Sequence, residues 1–368
     1  MNINALSNPF SVLSPYASRF APLFRRRTRV SPAIRVFRLS LALLASPLDM
    51  PAVAAPLVIK LGTLAPTGSP WHQMVLQIGE EWARISGGQV TLRIYAGGVL
   101  GDEEDLVRKM RIGQIQAVAV STSGLAILNT DIMCLQIPLM FDSWAELDAV
   151  EAGLIPKLAE GFARHGSELL TWTEGGWVHF FTQERTATID EMRTRKLFVW
   201  AGHPTTEEFY TRARFRTVPL AVTDMLPGLH TGLITALDVP PLAALLNQWF
   251  GVARYMVDLN WAPLLGGVIV DRRTWETVPA AWREPMRHAA VAASARWSRD
   301  IRRLGEEAVP AMVARGLTVV SLDAATRAGW RRDVEALYPA FRGQFGTAED
   351  FDKIMQLRTT FRGRLAAR

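Results

Sequence analysis

Cysteine is almost absent from this 368-residue chain. The single Cys134 excludes an intramolecular disulfide and a zinc cage built from thiolates. Also missing are G-x-G-x-x-G, Walker A, H-E-x-x-H, G-x-S-x-G and EF-hand patterns, which removes the commonest nucleotide, metalloprotease, esterase and calcium readings. Beyond residue 55 no stretch reaches 18 uncharged apolar residues, so no membrane-spanning helix is expected there. No internal repeat or low-complexity tract occurs. Tyrosine is scarce beside tryptophan, five against twelve, an imbalance that favours large apolar surface carrying one donor per ring. Hydrophobic residues at 49% and charged residues at 21% are ordinary for a packed protein, which excludes disordered, collagen-like and coiled-coil classes. The length suits about two domains.

A net charge of +6 would ordinarily point to nucleic acid or an acidic membrane surface. The surplus is local. Residues 1–55 contain Arg19, Arg25, Arg26, Arg27, Arg29, Arg35 and Arg38 against Asp49 alone, and residues 56–368 hold 34 basic and 34 acidic side chains. No nucleic-acid partner is therefore expected. The arginines precede a short apolar run, Leu39 to Ala45, and then the small residues Ala52-Val53-Ala54-Ala55. Basic, apolar and small segments in that order form an export signal, with cleavage expected after Ala54. A disordered basic tail or an interfacial helix is the plainer alternative. The Arg25-Arg26-Arg27 run leaves the general and twin-arginine routes both open, and the long basic region leaves room for an internal start codon.

From Leu57 the pattern alternates strand and helix. Leu57 to Gly62 reads as a buried strand. Trp71, Val75, Ile78, Trp82 and Ile85 line one face of a helix capped by Ser69, with Pro70 at its first position and Gly87-Gly88 at its end. Val90, Leu92 and Ile94 alternate as a strand. Asp102-Glu103-Glu104-Asp105 suits the start of a helix, its carboxylates meeting the helix dipole. Ala117 to Val120 forms a further strand that ends in Ser121-Thr122-Ser123-Gly124. Later strands are expected at 169–173, 177–182, 197–200, 217–220 and 236–239, with helices at 205–214 and 223–231. A long helix is expected at 280–315, with a kink at Pro310. Such alternation implies an α/β fold with a mainly parallel sheet and a ligand site beyond the carboxyl ends of its strands. His203 and Glu207 stand four apart, but two ligands do not make a metal site; no metal and no cofactor are expected.

Four segments carry a resemblance when taken in order: Ser86-Gly87-Gly88-Gln89-Val90, Tyr95 to Glu103, Arg111 to Ala117, and Leu135-Gln136-Ile137-Pro138-Leu139-Met140-Phe141. Together they resemble the TRAP transporter solute-binding proteins of the DctP type, over about Leu57 to Phe361. That resemblance implies a periplasmic receptor of two α/β domains, joined by crossing hinge strands and spanned by a long helix, that passes its solute to the membrane subunits of an ion-driven transporter. The expected division is a signal peptide at 1–54, a first domain at 56–178 completed by part of 268–368, and a second at 179–267, with C-terminal helices packing across both.

The resemblance also implies polar anchors that this chain lacks. In the family, an arginine in a G-L-K-I-R-V-P type segment pairs with the solute carboxylate, the two-pronged geometry that suits a guanidinium. The corresponding position here is Phe198. A second family arginine falls on Val178, and a family asparagine falls on Val239. A desolvated carboxylate with no cation is costly to bury, so the expected ligand is largely hydrophobic or amphipathic. Phe198, Val178 and Val239 should line the cleft beside Trp177 and Trp200, with His179, Ser121, Ser123 or Asp238 orienting a polar head. Trp82, Trp282, Trp297 and Trp330 are expected in the core. Two alternatives stand beside this reading. One is an organic-acid binder using Arg195, Lys196 or His179 as a relocated cation; the other is a non-binding protein of the same fold that serves a periplasmic helical-repeat partner. Enzyme activity is not expected, since no His is placed by sequence to activate Cys134.

Overall fold

The computed structural model describes residues 55–367; the signal peptide expected at 1–54 lies outside the described residues. Two mixed sheets make up the frame. The first has the order β2-β1-β3-β10-β4, from β1 (Leu57–Thr63), β2 (Val90–Tyr95), β3 (Ala117–Ser121), β4 (Ser167–Trp177) and β10 (Pro263–Asp271). The second has the order β11-β9-β5-β8-β6-β7, from β5 (His179–Thr182), β6 (Lys196–Trp200), β7 (Arg216–Leu220), β8 (Ala236–Val239), β9 (Tyr255–Val257) and β11 (Thr318–Val320).

The local signals in the first half form as expected. Ser69 caps the helix Pro70–Ile85 by accepting from the His72 amide, and that helix buries Met74, Val75, Ile78 and Trp82. Trp82 and Trp330 are fully buried, and Trp282 and Trp297 pack against the first-sheet core. The long helix spans Ala280–Val313 with Pro285 and Pro310 inside it.

The expectation of a mainly parallel sheet needs correction. β1 pairs in parallel with β2 and β3, but β10 runs antiparallel between β3 and β4, and β5 runs antiparallel to β8 and β9. The strand inserted beside β3 arrives more than 140 residues later in the chain, so local βαβ logic could not place it. Its glycines permit the approach: a Cβ on Gly266 would stand 2.7 Å from the Val120 carbonyl oxygen.

Three segments connect the sheets. The chain passes from β4 to β5 through Val178 and returns from β9 to β10 through residues 258–262. These crossings pair, the Val178 amide donating to the Ala262 carbonyl at 2.8 Å and the Trp261 amide to the Val178 carbonyl at 2.9 Å. The long helix is the third connection, packing on β4 before the chain enters β11. Arg302 on this helix bonds both carboxylate oxygens of Glu174 on β4, at 2.7 and 2.6 Å.

Candidate functional site

The crossings place a cavity of about 160 Å³ beyond the strand ends of the second sheet. Phe198 and Trp200 of β6 form one side of it, and Asp238 and Val239 of β8 another. Val178 enters from the crossing, and Ser123 from the first lobe. Six of the nine expected site residues are thereby brought together. A second cavity of about 150 Å³ is lined by Thr63, Glu103, Ser121 and Thr173. The two have Ala243 and Leu264 in common.

The other three expected residues sit elsewhere. Trp177 and His179 flank Val178, and alternation along an extended chain sends them to the opposite side. There they line a separate hinge cavity. Trp177 packs against Trp144 with ring centroids 4.8 Å apart. His179 is buried and pairs with the Val257 carbonyl at 3.2 Å, and burial lowers its pKa, which disfavours the charged ring. Ser121 lines the second cavity, where its hydroxyl donates to Glu103 at 2.8 Å.

Sequence reasoning missed the aromatic partners of Asp238. Trp261 Nε1 donates to the Tyr210 hydroxyl at 2.8 Å, and that hydroxyl donates to Asp238 Oδ2. Burial raises the Asp238 pKa to about 7 while the Tyr210 bond pulls it down. Phe209 and Trp249 complete the wall. An acid inside the apolar run Ala236-Leu237-Asp238-Val239 was the available signal; Tyr210 and Trp261 lie 28 and 51 residues apart from their partners, beyond any local pattern.

The acidic run 102–105 does more than cap a helix. Asp102 is the cap, accepting from the Glu103 amide at 2.7 Å. Its carboxylate also takes Trp200 Nε1 at 3.2 Å and the Val222 amide at 3.0 Å, both from the second lobe. Glu103 is buried and accepts from the Ser121 amide (2.7 Å), the Ser121 hydroxyl and the Gly124 amide (2.8 Å), so it ties the end of β3 to the helix Glu103–Arg111. Desolvation raises its pKa to about 7, against those bonds. At the same mouth Gly202, with φ +82°, lets Glu104 approach, since a Cβ there would meet its carboxylate at 2.6 Å.

Arg195 ion-pairs with Glu184 and donates to Thr186 Oγ1 at 3.1 Å, and Lys196 Nζ donates to the Gly232 carbonyl at 2.8 Å. Neither reaches the cavities, whose described linings contain no Lys, Arg or His.

The family model for bacterial extracellular solute-binding protein, family 7 (DctP), matches residues 61–344. The chain belongs to the DctP family. It is similar to the C4-dicarboxylate-binding periplasmic protein DctP of Rhodobacter capsulatus, 22% identical over 303 residues, covering 81% of this chain and 90% of that protein. Among solved structures it resembles the sugar acid binding protein DctPAm of Advenella mimigardefordensis in complex with galactonate, at a TM-score of 0.77 and 18% identity, covering 83% of this chain and 99% of that one. It also resembles a TRAP periplasmic solute binding protein of Haemophilus influenzae with bound L-gulonate, at a TM-score of 0.76 and 16% identity, covering 82% and 99%. By family, the DctP chain described here is thus an extracellular solute-binding protein and not an enzyme.

Proposed function

We propose that this DctP protein is the periplasmic receptor of a TRAP-type transporter and closes on a largely hydrophobic or amphipathic small molecule. One observation carries the reading: Phe198, Val178 and Val239 stand together on one cavity, at the positions where the resemblance expects two arginines and an asparagine, and no basic side chain among the described lining residues replaces them. A buried organic anion would have no counter-charge there. The lobes of the receptor are the segments 56–178, completed by part of 268–368, and 179–267. The leader at 1–54 directs export and is removed near Ala54; the intact mass of the secreted protein tests that site.

Organic extraction of the freshly purified protein, followed by mass spectrometry, should release an apolar compound. The names of the relatives favour a second reading, since galactonate, L-gulonate and C4-dicarboxylates are organic acids. An empty extract, with small carboxylates alone quenching tryptophan fluorescence, would establish that reading and defeat ours. Neither the fold nor the relatives point to a helical-repeat partner, and the proposal includes none.

A further inference from the structure

Asp238 is the single carboxylic acid among the residues lining the first cavity. It is held by a relay of donors and not by a counter-charge: Trp261 donates to Tyr210, and Tyr210 to Asp238 Oδ2. Among the described residues Tyr210 is the only side chain that donates to this carboxyl, while an ionised carboxylate has about four acceptor positions. A desolvated acid of this kind weakens the empty receptor. A ligand that brings a positively charged donor removes that penalty.

The walls favour the same charge. Trp200, Phe198, Phe209 and Trp249 line the same cavity as the acid, and aromatic faces attract cations. Beside the acid the lining offers only Ser123, Gln136, Thr206 and Tyr210 as polar side chains, too few to pair every hydroxyl of a polyhydroxylated solute, and an anion would meet Asp238 with no basic side chain in the lining. Size narrows the choice further, because a cavity of about 150 Å³ lined by apolar side chains accepts benzene, and this one measures about 160 Å³.

We infer, building on the apolar-cleft reading above, that the ligand is a small protonated amine on a ring-sized apolar body, its ammonium donating to Asp238 and its body lying against the aromatic wall. Asp238 then sets the sign of charge that this receptor accepts, opposite to that of an arginine-anchored one.

Calorimetric titration of the full-length exported protein with phenethylamine, phenethyl alcohol and hydrocinnamate, similar in bulk and different in charge, tests this. The amine should bind at least about tenfold more tightly than the alcohol, and the carboxylate more weakly than both. Asp238→Asn should bring the amine down to the level of the alcohol, with the melting temperature confirming the fold.

A pH profile gives a second readout. Asp238 and Tyr210 are the only titratable groups among the described residues of this cavity, with Glu103 and Glu174 lining the adjoining one. Since burial raises Asp238 to about 7, amine affinity should rise by about tenfold per pH unit up to that point and then level off. Tyr210→Phe, which removes a donor to the ionised form, should move the bend to higher pH. An amine no tighter than the alcohol, with Asp238→Asn silent, overturns the amine inference and leaves the apolar cleft standing. Tightest binding of hydrocinnamate overturns both, and failure of all three probes to bind overturns the amine.

Discussion

Replacing Asp102 with alanine removes a helix cap and an inter-lobe bridge in one step, and the two losses have different readouts. The cap bond to the Glu103 amide lies within the first lobe and is present whether the lobes are together or apart. Its loss should cost about 1 kcal/mol of stability, lowering the melting temperature by about 2–4 °C. The bonds from Trp200 Nε1 at 3.2 Å and the Val222 amide at 3.0 Å exist only where the lobes meet. Both donors are half-buried, so each bond contributes about 1 kcal/mol net and not the larger value of a dry charged contact. Together they bias closure by about 2 kcal/mol, a factor of about 30.

If the closed form is the minor one without ligand, apparent affinity falls by up to that factor in Asp102→Ala, because affinity scales with the fraction of competent receptor. Asp102→Asn keeps an acceptor oxygen and should recover much of the loss. Ser69→Ala is the control: Ser69 caps the helix Pro70–Ile85 with no bond to the second lobe, so it should lower the melting temperature without changing affinity. Calorimetry with the extracted compound or phenethylamine measures the affinities, and small-angle scattering follows the lobe separation. Equal affinity in Asp102→Ala and Ser69→Ala, with equal radii of gyration, would refute the bridge.

Phe198→Arg should create organic-acid binding and abolish that of the apolar ligand, at about 1–3 kcal/mol of stability from a larger, charged side chain in a packed wall; gluconate and succinate titrations check it, and unchanged selectivity would show that Phe198 does not set the ligand. Glu151 should make the protein less stable as pH rises: burial raises its pKa to about 8, so the folded form holds a proton that the unfolded chain releases near 4.5, and this contribution is complete below about 4.5 and lost as pH climbs through about 8. Glu151→Gln should then stabilise by about 1–2 kcal/mol at pH 8 and by nothing at pH 4 in urea titrations, with its amide oxygen still accepting from Trp172. Cys134 is buried, and desolvation with Asp350 and Asp131 nearby raises its thiol well above the ordinary range, so a thiol reagent at pH 8 should label it only at the rate of unfolding; rapid labelling of the native protein would contradict its burial.

Caps and short-range periodicity made the first lobe readable. Ser69, Pro70 and the 3–4 spacing from Trp71 to Ile85 fix a helix without reference to anything distant, while the meaning of Phe198 comes only from the family resemblance, which implies an arginine there. The antiparallel insertion of β10 was not readable, because Leu264-Leu265-Gly266-Gly267-Val268 has no period of two and is covered by β3 and β4, one on each side. Trp177 and His179 adjoin Val178 in the chain, but the extended backbone points them the other way. Glu103 looked like one more dipole-matching acid, and only the approach of Ser121 and Gly124 makes it a buried tie.

By itself the sequence determined that the basic surplus belongs to the first 55 residues and that the chain from residue 56 is neutral and rich in tryptophan. These follow from composition and from local order along the chain. Tertiary structure alone decided that Val178 faces the cavity while its neighbours do not, and that Tyr210 and Trp261 present Asp238 within an aromatic wall. It also decided that Asp102 meets Trp200 across the mouth. Those relations join residues 28 to 98 positions apart, and the pairing of two sheets through their crossing strands is what brings them within hydrogen-bond reach.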